Sequence, residues 1–123
     1  MVTPVYDPPL DAFVACIKSV LSQTFTDWEW CVVDDHSNDP QVCATLEELG
    51  RTDPRVRIHY RAANGGIVAA SNDALAMATG DFVAFLDHDD ALVPTALERM
   101  AAAIDSTRDV DYVYSDEVHV RTD

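Results

Sequence analysis

The chain has 123 residues, enough for one domain with a buried core, and 48% of them are hydrophobic, which excludes a disordered tail. Against 22 Asp and Glu stand only 8 Lys and Arg, a formal charge of −14 that repels phosphate backbones and anionic lipid. Nucleic-acid and membrane-surface partners are therefore excluded, and an anionic ligand would need a cation as intermediary. The cysteines Cys16, Cys31 and Cys43 form no CxxC pair, sit in apolar settings and read as buried reduced thiols of a reducing compartment. No signal peptide is visible, and no apolar run approaches the ~20 residues that span a bilayer. The expectation is a cytoplasmic protein without membrane insertion.

Taken in chain order, Val2 to Tyr6 reads as a short strand that begins almost at the first residue, and Pro8-Pro9 breaks it. From Leu10 to Ser22 the apolar residues Ala12, Phe13, Cys16, Ile17, Val20 and Leu21 recur at helical spacing. Trp28 to Val33 is β-rich and ends at Asp34-Asp35. Asp39 before Pro40 predicts a capped helix start, Val42, Leu46 and Leu49 continue its apolar face, and Gly50 is placed to close it. A strand is predicted over Arg55 to Arg61, a turn at Asn64-Gly65-Gly66, and a helix over Ile67 to Thr79 stopped by Gly80. Asp81 to Leu86 reads as the fourth strand, Pro94 to Ile104 as the last helix, and Val110 to Ser115 as a fifth strand. This alternation predicts an α/β fold, a mostly parallel sheet with helices on both faces, in a single domain.

In open parallel sheets ligands bind beyond the carboxyl ends of the strands. Tyr6-Asp7, Asp34-Asp35, Arg61 to Asn64, Asp87 to Asp90 and Ser115-Asp116-Glu117 all fall at such ends. Asp87, Asp89 and Asp90 put three carboxylates within four residues. Asp87 and Asp89 are hard oxygen ligands suited to Mg²⁺ or Mn²⁺, which would relieve their repulsion and offer open positions to a diphosphate. The competing reading is a turn whose aspartates serve the N-terminal dipole of the following helix. The Asn64-Gly65-Gly66 turn lacks both GK[ST] and GxGxxG, so it is either an ordinary turn or a close backbone approach to a ligand.

The stretches TPVYD, SVLSQTFTDWEW, CVVDDHSND, DPRVRIHYRAANGG, SNDALAMATGDFVAFLDHDDALVP and YVYSDE together resemble a family 2 glycosyltransferase of the GT-A type, in order and over nearly the whole chain. The resemblance implies the Rossmann-like nucleotide-binding half of that fold and a UDP- or dTDP-type nucleotide-diphospho-sugar as partner, with Mn²⁺ or Mg²⁺ as cofactor. It also implies a place in cell-wall or polysaccharide biosynthesis. By the same resemblance Pro4, Val5 and Tyr6 line the base pocket. Asp35 accepts a hydrogen bond from the base, while Asp34 shapes the loop. Asp87-x-Asp89 matches the DxD motif, with Asp89 the metal ligand and Asp87 at the ribose or the metal. His88 stands between them and is a poor general base. Asn64 and Asn72 match recurrent asparagines, either at the ligand or bracing the helix. Arg61 reaches the base or a phosphate, or is a solvated strand end. Asp7 stands where the family often has Asn.

The family reaction is an inverting transfer to an acceptor hydroxyl and needs a general base. The resemblance places that base after YVYSDE, near where this chain stops, so no catalytic residue is named and the expectation is the donor-binding portion of an enzyme. An exposed apolar sheet edge is then expected, covered by a missing C-terminal half or by a second copy in a homo-oligomer. The alternative function is a nucleotide-sugar-binding module without turnover. CVVDD is also similar to the acidic pair of a receiver domain, but the third strand ends in Arg61 and the sole lysine is Lys18 in the first helix.

Overall fold

The computed structural model describes residues 1–119. The central strand β2 (Trp30–Asp34) is buried at every residue, and it pairs in parallel with β1 (Val2–Val5) on one side and β3 (Val56–Tyr60) on the other. A strand covered on both faces needs no polar alternation, which is why WCVVD reads as one apolar run until its last residue. The register sets Val5 beside Asp34 and Asp34 beside Tyr60. The carboxyl ends of all three strands thus meet on one rim.

Alternate residues of the strands feed two cores. On one face Val5, Trp30, Val32 and Val56 pack with Phe13, Cys16 and Val20 of α1 (Leu10–Leu21), Val42, Leu46 and Leu49 of α2 (Pro40–Thr52), and Leu97. On the other face Val2, Cys31 and Val33 pack on Ala70 and Ala74 of α3 (Ile67–Met77), whose small side chains let the helix lie close to the sheet. Leu97 belongs to α4 (Ala96–Ser106). Helices on both faces are therefore realised. The buried Trp30 indole donates to Thr3 Oγ1 at 2.8 Å, so neither polar atom is stranded in the core.

The Asp39-Pro40 signal works as read: the Asp39 carboxylate accepts from the Gln41 N–H at 2.8 Å. Gly50, however, does not end α2, which runs on to Thr52. A Cβ at Gly50 would lie 3.1 Å from Ile58 Cδ1, so this glycine serves close packing of helix on strand. At the far end of α3, Glu29 accepts from the N–H groups of Thr79 (2.5 Å) and Gly80 (3.2 Å). The helix stops at Met77, short of the expected Thr79.

Two strand assignments need correction. Residues 81–86 run beside β1 but join it through one bridge, Val2 to Phe85, with Val2 N–H bonding Ala84 O at 2.9 Å and Leu86 N–H bonding Val2 O at 3.2 Å. Nothing among the described residues pairs with the far side of this segment, and on the β1 side only this one bridge forms. Val110 to Ser115 forms no strand; Tyr112 and Tyr114 stack on each other at 6.3 Å and lie about four-fifths exposed. Alternation is present there, but a strand exists only where a neighbouring strand accepts its hydrogen bonds. Among the described residues no helix is long and apolar enough to cross a membrane.

Candidate functional site

The rim aspartates divide into two kinds. Asp7, in the left-handed region at φ 39°, turns its carboxylate to the next loop and accepts from the N–H groups of Asn38 (2.8 Å) and Asp39 (2.9 Å). The Asp39 N–H above all holds the Asp7 carboxyl below its usual range. Asp34 is buried and accepts from the Ser37 N–H at 3.2 Å, closing its own loop.

Asp35 is also buried, at 2% exposure, on the α3 face of the sheet. Its Oδ1 accepts from Arg61 Nη1 at 2.6 Å and from the Gly65 N–H at 2.9 Å, and its Oδ2 from the Gly66 N–H at 2.8 Å. Burial pushes this carboxyl up, but the two amides and the guanidinium outweigh burial and hold it below the ordinary carboxylate value. Arg61 is gripped on its other side by Asp73 of α3 at 2.9 Å. The two glycines differ in kind: at Gly65 a Cβ would displace the end of the Arg61 side chain, while at Gly66 the backbone itself excludes other residues. A Cβ at Gly65 would meet Arg61 Nη1 at 2.1 Å, and Gly66 caps α3 at φ 85°, ψ 167°, a region open essentially to glycine alone. Asn64 completes the turn by donating to the Asp35 carbonyl at 3.2 Å.

Asp87 and Asp89 are of the second kind. Among the described residues neither carboxylate accepts a hydrogen bond or joins an ion pair, and both face a cavity of about 380 Å³. That cavity is lined by Pro4, Val5, Tyr6, Asp35, Asn64, Gly66, Ile67, Ala70, Asp87, His88 and Asp89. It joins the ends of β1 and β2, the start of α3 and the loop after residue 86. His88 Nδ1 lies 3.2 Å from the Pro4 carbonyl, which only accepts, so this nitrogen carries the proton and ties the loop to β1. Burial first, then the neighbouring Asp87 and Asp89, push the adjacent Asp90 carboxyl up.

Eight expected site residues thus converge on one cavity: Pro4, Val5, Tyr6, Asp35, Asn64, Asp87, His88 and Asp89. Asp34, Arg61 and Asn72 are not among its lining side chains: Asp34 serves its loop, Arg61 stands behind Asp35, and Asn72 is exposed on α3. Ile67 and Ala70 line the cavity without having been singled out. They are apolar helix residues whose only signal was their position just after the glycine turn. The Ser115-Asp116-Glu117 cluster is exposed and follows no strand.

The model of the glycosyl transferase family 2 matches residues 1–119. The chain belongs to this family. It is 44% identical over 117 residues to the uncharacterized protein y4gI of Sinorhizobium fredii, and 37% identical over 117 residues to the O-antigen biosynthesis protein RfbC of Myxococcus xanthus. Each alignment takes in 95% of this chain but only 13% and 9% of those relatives. Among solved structures, S. aureus TarS 1–349 in complex with UDP-GlcNAc superposes with a TM-score of 0.74 at 31% identity, over 85% of this chain and 30% of that one. The fold is accordingly the Rossmann-like nucleotide-binding architecture of GT-A glycosyltransferases, as the resemblance implied.

Proposed function

We propose that this chain binds and orients the donor of a metal-dependent, inverting glycosyltransferase, a UDP- or dTDP-type nucleotide-diphospho-sugar. The observation that carries the reading is the unequal treatment of the rim carboxylates. Asp7, Asp34 and Asp35 are satisfied by protein groups, whereas Asp87 and Asp89 enter the same cavity as Asp35 with no protein partner among the described residues. Both are exposed, so water solvates them in the free chain, and their unpaired oxygens stay available to a cation.

Their chemistry fits Mg²⁺ or Mn²⁺, both of which take hard oxygen ligands and leave positions for phosphate oxygens. Among the described residues no three His, Cys, Asp or Glu side chains converge on a metal-sized site. Two carboxylates plus a diphosphate suit an ion that is completed by its substrate. When bound, such an ion would offset the negative charge that builds on the departing nucleoside diphosphate.

The chain's own residues do the rest. Asp35 uses about three of its four acceptor positions on the protein and keeps one on Oδ2 for a base imide N–H. Tyr6, half exposed, offers its ring to the base. Ile67, the first residue of α3, lines the cavity, so a helix N-terminus that favours anionic oxygens borders it. In the transfer, an acceptor hydroxyl oxygen bonds to the anomeric carbon and its proton passes to a general base, as the bond to the diphosphate oxygen breaks on the opposite face and the nucleoside diphosphate leaves. A polysaccharide or cell-surface glycan as product is in keeping with the O-antigen relative.

Calorimetric titration of UDP and dTDP, with Mn²⁺ and with EDTA, on the native chain and on Asp89→Ala tests the proposal. Mn²⁺ should tighten binding at least about tenfold in the native chain, roughly 1.4 kcal/mol, and not in the variant. Equal affinity with and without the ion would overturn the assignment.

A further inference from the structure

We infer that a polar stripe on α1 and the residues just after it, Cys16, Ser19 and Gln23, positions the loop that presents Asp87 and Asp89; the inference rests on the donor-site reading above. Residues 87–95 form neither helix nor strand, so their buried backbone groups must find partners elsewhere. The stripe supplies them. Cys16 Sγ donates to the Asp87 carbonyl at 3.5 Å. Ser19 Oγ accepts from the Leu92 N–H at 3.1 Å and donates to the Cys16 carbonyl at 2.7 Å. Gln23, at 6% exposure, donates to the carbonyls of Val93 (2.8 Å) and Ser19 (3.0 Å) and accepts from the Leu97 N–H at 3.0 Å. Spacings of three and four residues put the three side chains on one side. His88 fastens the same loop from the front through the Pro4 carbonyl.

The arrangement does more than stabilise. Asp87, Asp89 and Asp90 repel one another, and a loop free to relax would splay them. Ties at Asp87, Leu92, Val93 and Leu97 resist that relaxation and hold the backbone from which both carboxylates extend. Cutting a tie removes a hydrogen bond but also relieves repulsion. The metal-free fold should therefore suffer less than ion binding does.

The test is calorimetric titration of Mn²⁺ alone into the chain, beside titration of UDP in EDTA. The variants are Ser19→Ala, Cys16→Ala, Cys16→Ser and Asp89→Ala. Mn²⁺ affinity should fall about three- to tenfold in Ser19→Ala and Cys16→Ala, the worth of one hydrogen bond. Cys16→Ser keeps a donor and should stay near the native value, and UDP affinity in EDTA should hold in the Ser19 and Cys16 variants. Native Mn²⁺ affinity in both alanine variants would overturn the inference, as would an equal loss of metal-free UDP binding. If the native chain binds no Mn²⁺, or Asp89→Ala binds it unchanged, the donor-site reading falls and this inference with it.

Discussion

Replacing Asp35 by Asn leaves the shape of the side chain but removes one acceptor and the charge. Both the Arg61 and Gly65 bonds go to Oδ1, which Asn retains, whereas Oδ2, the partner of the Gly66 N–H, becomes an NH₂ that faces another donor. An orphaned N–H costs about 1–3 kcal/mol, and the bond to the guanidinium loses its charge assistance. Gly66 is only partly buried, so water recovers some of this, and we expect a net loss of about 2 kcal/mol. For a domain of this size that lowers Tm by roughly 8 °C. The Asp35 carboxyl titrates below its unfolded value, so its stabilisation is complete above pH ~4 and fades as pH falls through the folded value. The deficit of the Asn variant should therefore be full at pH 7 and shrink below pH ~4. Thermal melts by circular dichroism at both pH values measure it. A Tm within about 2 °C of the native chain at pH 7 would refute the claim that this carboxylate holds the turn.

Gly66→Ala should cost about 1–3 kcal/mol, read from the urea midpoint, because no L-residue sits comfortably at φ 85°, ψ 167°. Gly80→Ala, where a Cβ meets nothing nearer than 3.4 Å, should stay within about 0.5 kcal/mol of native; equal losses at the two glycines would contradict the backbone account. The Cys16 thiol is pushed up to about 12 by burial and then by Asp90, Asp89 and Asp87. Iodoacetamide at pH 8 should leave it unmodified in the native chain and alkylate it in urea, as peptide mass spectrometry would show. Native alkylation of Cys16 would mean that the loop opens away from α1.

Local signals carried much of this structure. The Asp39-Pro40 pair marked a helix start by capping chemistry alone, and the unbroken apolar run before Asp34 marked a strand covered on both sides. The shared cavity followed because parallel strands bring their carboxyl ends together, which puts Tyr6, Asp35 and Asp87 on one rim despite their separation in the chain. What escaped was pairing. The Arg61–Asp35 bond joins residues 26 apart and the Gln23–Val93 bond residues 70 apart, and no local pattern announces either. Cys16 and Ser19 were hidden by the apolar periodicity of α1, which registers where a helix is buried but not what its polar atoms hold. The segments 81–86 and 110–115 have strand composition without a strand's neighbours, so composition overstated them.

The turn at residues 64–66 is clamped to Asp35 by groups of the protein alone. A ligand arriving there meets a finished floor, so little of its interaction energy is diverted into ordering backbone. The still unneutralised side of the cavity is the Asp87–Asp89 turn. Under the proposed donor-site reading, supply of the cation then sets when the donor settles.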